Sequence, residues 1–502
     1  MVVILRPRAP WVLGLLLLLA RVSITQGATD YWTRGSSGDW FTASNWYQSA
    51  IPTSADAAYI YAAGPATIGA SESAVAASLT IGYYNNGAVL VNTGGSLTVG
   101  SSLLLGQEAS GTLTVSGGSV NTNGSTLYVG YTDGQGTLTI NSGSVSNGNA
   151  LIAVGSATIS GGTWTSSGYL EVGNSGSGTL NINGGAVNTA NAIVGDDNTG
   201  VANVSAGTWT VSSNYLYVSY LTGNGTINLT GTGTINVGNG TGTVYLSNQT
   251  GQGSFVVGNG SAFTGALQAG SINSGTSGGS VTFNFSNANT FALQLTGKLA
   301  VTQQGTGTTT LTGSNTYTGT TTISGGKLLV NSAGGTGTSI VEVKAGGSLG
   351  GTGSIKGALT VDAGGILAPG SSTFTAQGGL TLADNAAITL SLGSDLVTDS
   401  GTLTLGKNLT LTVLPGSGTG AGLYSLISFS GALTDNSNNF SGWTVSGLPN
   451  GETGTFEIQG STVDLRVLAV PEPGIWSLLM PSAVLCLARF RRARGGRRAH
   501  VV

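Results

Sequence analysis

The chain has 502 residues, room for two or three ordinary domains or for one long repeat domain. Glycine occurs 86 times and charged residues make up 7%, against about 25% in ordinary globular domains, yet 39% of the residues are hydrophobic, which excludes the apolar-poor composition of a disordered chain. Between residues 29 and 470 seven Lys and Arg face eighteen Asp and Glu, a balance of −11, which argues against nucleic acid and anionic membrane surfaces as partners.

Residues 1–28 read as a signal peptide for export through the Sec machinery. Arg6 and Arg8 form a basic start, Trp11 to Ala20 form an apolar stretch, and Gly27 and Ala28 offer small residues for cleavage. The alternative is an uncleaved anchor, but about ten apolar residues fall short of the roughly 20 that span a bilayer.

Residues 29–78 are expected to cap the fold. Trp32, Trp40 and Trp46 fall within fifteen residues and are candidate glycan contacts, since flat aromatic faces suit sugar rings. The competing and preferred expectation is a hydrophobic plug over the end of a stack.

From residue 79 to residue 305 short apolar bursts recur. Units begin at residues 111, 136, 156, 178, 201 and 225, and each holds three bursts, such as Leu113-Thr114-Val115, one around Val120, and Leu127-Tyr128-Val129. Apolar and polar residues alternate within a burst, the period of a half-buried strand. A three-strand unit of about 20–25 residues is one coil of a right-handed parallel β-helix. Inward Leu, Val and Ile would form its core, with Asn, Ser and Gly at the corners. The rival all-β propeller needs units of about 40–50 residues.

Residues 306–414 continue in a different pattern. Leu311-Thr312-Gly313, Asn315-Thr316-Tyr317-Thr318-Gly319, Thr322-Ile323 and Gly325-Gly326-Lys327-Leu328 resemble the autotransporter-associated β-strand repeat. Residues 350–372, ending in Leu367-Ala368-Pro369-Gly370, resemble the segment that commonly follows it. The resemblance implies a passenger-type β-helix of a secreted or surface protein, here without room in residues 400–470 for a translocator barrel. Residues 415–469 are expected to form a C-terminal β cap.

Residues 470–502 hold Pro471-Glu472-Pro473, then the apolar run of residues 475–488, then Arg489, Arg491, Arg492, Arg494, Arg497 and Arg498. An apolar segment with a basic cluster behind it stops translocation, so a short transmembrane helix is expected here. The order of these elements resembles the PEP-CTERM sorting signal. That implies an exosortase as partner, acting near Pro471, Glu472 and Pro473, and an association with exopolysaccharide at the cell surface or in the extracellular matrix. The simpler alternative is a tail anchor that is never processed.

Chemistry is sparse. The single histidine, His500, and the single cysteine, Cys486, both lie in the tail, which leaves the body no histidine or thiol for nucleophilic, general-base or zinc work. Asp196-Asp197 is the densest acidic spot and, like Asp395 and Asp399, reads as a solvated corner. No charged residue occurs from Asn198 to Gly297. No catalytic residue, metal or cofactor is expected. The expected function is an exported structural or adhesin-like solenoid, with a carbohydrate-active β-helix enzyme or a glycan-binding module as alternatives.

Overall fold

The computed structural model describes residues 27–469, apart from 63, 333–334, 371–372 and 416–419. Both the signal helix and the C-terminal transmembrane helix expected from the sequence lie outside them. Among the described residues no helix is long and apolar enough to cross a membrane.

The chain winds as an all-β parallel solenoid of about 15 turns. One coil shows the plan. Strand Gly111–Asn121 supplies the first and second faces, bending through a register shift near Ser116, and strand Leu127–Val129 supplies the third. The first two bursts of the unit are thus one continuous strand with a bulge, which turns the corner without breaking the ladder.

Alternation places the core. On the first face Leu113, Leu138, Ala157, Leu180, Ala202 and Ile227 stack in register along the inside, and all are fully buried. Successive coils sit about 4.8 Å apart, so each inward side chain packs on its counterpart above and below. On the outside of the same strands Asn181, Asn203 and Asn228 form a ladder. Each upper Nδ2 donates to the Oδ1 below it at 2.8 Å, which satisfies amides that would otherwise be half-buried and unpaired.

The entry to the first face is a glycine column: Gly87, Gly111, Gly136, Gly155, Gly178 and Gly200 lie on one another. This puts the coil starts at Gly155 and Gly200, one residue before the positions read from the sequence. The residue type follows from crowding. A Cβ at Gly111 would lie 2.0 Å from the Ile81 carbonyl oxygen, and one at Gly178 2.2 Å from that of Ile152. Backbone of the preceding coil fills the space a side chain would need.

Coil length varies more than 20–25 residues. Val341 pairs with Leu359, 18 residues on, and Leu403 with Leu433, 30 residues on. The ladders need only a few paired residues per face, so the corners absorb the difference.

Both ends of the described ladder are closed. At the N-terminal end Thr29–Trp32 pairs in parallel with Ala57–Ile60 on one side, and on the other Trp32 bridges Trp46 and the Tyr47 backbone N–H donates to the Tyr31 carbonyl at 2.8 Å. At the other end Gly422–Phe429 continues the parallel ladder from Leu396–Asp399, then pairs antiparallel with Thr462–Leu468, which in turn pairs with Thr453–Gln459. Phe440, Trp443 and Phe456 pack edge to face beside this hairpin at 4.9 and 5.1 Å. The antiparallel hairpin ends the parallel ladder on this face, with the aromatic cluster packed beside it.

The glycine column generates a prediction. Gly178→Ala should destabilise the fold by about 1–3 kcal/mol through overpacking against backbone, read as a lower urea midpoint. Gly35→Ala, where a Cβ would meet nothing within 4 Å, should leave the midpoint unchanged.

Candidate functional site

The three candidate glycan contacts of the N-terminal cap are inside the protein. Trp32 and Trp40 are fully buried and Trp46 is 1% exposed. Trp46 packs edge to face on Trp32 at 5.3 Å and on Trp40 at 4.8 Å, and its indole Nε1 donates to the Trp40 carbonyl oxygen at 2.8 Å. The glycan-contact expectation is therefore corrected: the rings are consumed in filling the first coil and offer no face to a sugar. Pro471, Glu472, Pro473 and the arginines from Arg489 to Arg498 lie outside the described residues.

Among the described residues the exposed aromatics are tyrosines; Tyr47, Tyr84 and Tyr131 lie in loops and corners, while Tyr169 and Tyr215 stand on the third face. The middle outward position of that face runs through Tyr31, Tyr59, Thr80, Leu104, Tyr128, Leu151, Glu171, Ile193, Tyr217 and Tyr245. The flanking outward position holds Tyr169, Asn191 and Tyr215 in three successive coils. The phase of the alternation decides this. Leu216 and Val218 point inward, so Tyr215 and Tyr217 must point out.

A groove results where small outward residues lie between large ones. Asn191 and Ile193 form its floor, Tyr169 and Glu171 one wall, and Tyr215 and Tyr217 the other, with Asp196 and Tyr220 closing one end. It encloses about 410 Å³, within the ~300–1,000 Å³ typical of small-molecule sites. The upper wall is rigid: Tyr217 stacks on Tyr245 at 5.3 Å with 19° between the rings, and Tyr220 meets Tyr217 edge to face at 4.9 Å. Tyr169 and Tyr215 stay about half exposed, at 48% and 47%.

Two carboxyls line this groove. Asn174 donates through Nδ2 to Glu171 Oε2 at 2.7 Å and to Asp196 Oδ2 at 3.1 Å. Asp196 is 8% exposed, and its Oδ1 is buried without a hydrogen-bond partner. Burial pushes both carboxyls above their ordinary values. The Asp196 charge adds to the effect on Glu171, the Asp197 charge adds to that on Asp196, and the Asn174 amide opposes both.

The solvated-corner expectation is corrected for three residues. Asp196 turns under its corner while Asp197 remains exposed. Asp395 is 4% exposed and accepts from the Ser391 backbone N–H at 2.7 Å; Asp399 is 2% exposed and accepts from that of Gly401 at 3.1 Å. In these last two the carboxylate folds back on its own turn. Sequence reasoning missed the groove because its residues come from three coils. The available signal was the strand phase, which marks Tyr169, Glu171, Tyr215 and Tyr217 as outward.

The segment resembling a passenger repeat is structural. Asn315 Oδ1 accepts from the Leu295 backbone N–H at 3.0 Å, and its Nδ2 donates to the Gly335 carbonyl at 3.0 Å, joining the coils before and after it. Tyr317 is fully buried with its hydroxyl 2.8 Å from Thr321 Oγ1, which lies 2.9 Å from Ser339 Oγ. The motif residues thus supply cross-coil bonds where regular ladder pairing is absent.

Residues 301–330 match the passenger-associated-transport-repeat. The chain is also similar to the adhesin BmaC autotransporter of Brucella suis biovar 1 (strain 1330), with 37% identity over 111 residues. That stretch is 22% of this chain and 3% of the relative, so the chain spans only a small part of the relative's length. Together these place an autotransporter-associated repeat within a parallel β-solenoid.

The two raised carboxyls set the sign of a pH effect. Each binds a proton more readily in the folded than in the unfolded state, so stability falls as pH rises from the ordinary carboxylate values, 3.8 for Asp196 and 4.5 for Glu171, through the raised ones. Asp196→Asn removes one such group. Its thermal midpoint should exceed that of the parent at pH 7, and the difference should shrink toward pH 4.

Proposed function

We propose that the protein is an exported, adhesin-like surface solenoid in which the described residues form a passenger-type rod. The observation that carries this is the repeat at residues 301–330 lying inside the parallel solenoid, together with the similarity to an autotransporter adhesin. About 15 turns at about 4.8 Å each extend roughly 70 Å, with Asn, Ser, Thr and Tyr rows facing outward. The coils are right-handed, the sense that parallel crossover connections take.

In this reading residues 1–28 direct export, and Pro471-Glu472-Pro473 with the apolar run and arginines behind it form the sorting signal for an exosortase. The product stands at the cell surface or in a matrix rich in exopolysaccharide. Replacing Pro471, Glu472 and Pro473 by alanine should change the mature mass or the fraction reached by external protease on intact cells. Unchanged mass and location would leave simple anchoring, and protection of the whole chain from external protease would overturn surface exposure.

One observation favours a second reading, a carbohydrate-active enzyme: Glu171 and Asp196 share an amide in a groove, and paired carboxyls that hold a proton more tightly than usual can serve as acid and base in glycoside hydrolysis. Reducing-end release from a polysaccharide panel separates the two. The structural reading expects none, and release abolished by Asp196→Ala with Asp197→Ala would establish the enzyme.

A further inference from the structure

The groove between the coils of Tyr169 and Tyr215 has a chemistry that narrows its ligand. Its walls are two coils apart, about 9.6 Å at 4.8 Å per coil, with the shorter Asn191 and Ile193 between them. This leaves room for one flat six-membered ring between aromatic side chains. Tyrosine presents an apolar face and a polar tip, which suits a ligand whose faces are C–H and whose rim is hydroxyl.

The polar groups point the same way. Asp196 Oδ1 is buried and unpartnered, an arrangement that is unfavourable until a donor is supplied. Glu171 stands beside it on the same amide. The groove therefore calls for a ligand that donates hydrogen bonds. Charge excludes one large class: Glu171, Asp196 and Asp197 bring negative charge, and no Lys or Arg occurs between Arg34 and Lys298. Uronic acids and sulfated sugars would meet repulsion with no cation to offset it.

We propose that this groove is a binding subsite for a neutral saccharide chain, one ring standing between Tyr169 and Tyr215 with its hydroxyls donating to Asp196 and Glu171. This deepens the adhesin-like reading but is independent of how the chain is exported or sorted. It asks for binding only, with no bond made or broken. The tyrosines act as stacking surfaces and the carboxyls as acceptors. Because the ring stands between walls separated along the solenoid axis, a longer chain leaves the groove across the third face, in the plane of the ring.

Titration calorimetry of the full chain with cellohexaose, laminarihexaose, mannohexaose and tetragalacturonate tests the proposal. At least one neutral hexasaccharide should bind, and tetragalacturonate should not. Tyr169→Ala and Tyr217→Ala should each weaken binding by roughly tenfold or more, the effect of removing a central aromatic anchor, while Tyr128→Ala on the same face should leave it unchanged. The bound hexasaccharide should also protect Tyr169 and Tyr215 of the unsubstituted protein from acetylation by N-acetylimidazole, a readout that does not depend on any variant folding. Absence of binding by all three neutral hexasaccharides, equal or tighter binding of tetragalacturonate, or acetylation unaffected by ligand would overturn it. None of these results bears on surface export, which the protease experiment decides separately.

Discussion

The structure depends on in-register parallel stacking of coils. A single coil has three short strands and no second layer to cover its apolar side, so it gains a core only when the next coil sets Leu138 on Leu113 and Ile140 on Val115. The same stacking brings backbone to backbone at each corner, which is why the entry column from Gly87 to Gly200 carries no side chain. Core, corners and outer rows are consequences of one repeated contact.

That contact also explains how polar residues are used. On the first face, where the ladder is regular, outward amides pair with their own kind one coil away, as Asn181, Asn203 and Asn228 do. Where the ladder is interrupted, polar side chains go inside and replace missing backbone partners. Asn315 does this in the passenger-type repeat, and buried Gln303, which accepts from Thr309 Oγ1 at 2.5 Å and donates to the Gly305 carbonyl at 3.0 Å, does it just before. The repeat motif is therefore a record of irregular geometry, and its residues belong to folding. Asp196 differs from all of these, because one of its oxygens is left without a partner at the edge of a groove.

The aromatic residues divide by the same rule. Trp32, Trp40, Trp46, Trp164 and Trp209 are all fully or almost fully buried, filling space that aliphatic side chains occupy elsewhere; Trp164, Val187 and Trp209 lie in one inward column of the second face. Tyrosine, whose hydroxyl seeks water, takes outward positions on the third face and in corners such as those of Tyr84 and Tyr131, while the buried Tyr317 has a hydroxyl partner. Tyrosine in these positions presents aromatic faces without exposing a large apolar patch.

The sequence by itself determined the phase of the strands and the all-β solenoid class. Alternation in Leu113-Thr114-Val115 or Leu127-Tyr128-Val129 assigns each residue to the inside or the outside, because side chains in a strand point to opposite faces in turn. It also carried the resemblance to the passenger repeat, a local string of residues. It did not determine coil length, since corners of different size leave the same strands paired, nor the depth of a corner carboxylate such as Asp196. The tryptophan cluster was visible in sequence, but its burial followed from packing against the second coil. Only the tertiary structure decided which outward residues become neighbours. Tyr169, Asn191 and Tyr215 lie more than twenty residues apart in the chain and one rung apart in space, and the groove they frame exists because stacking converts sequence distance into a few ångströms.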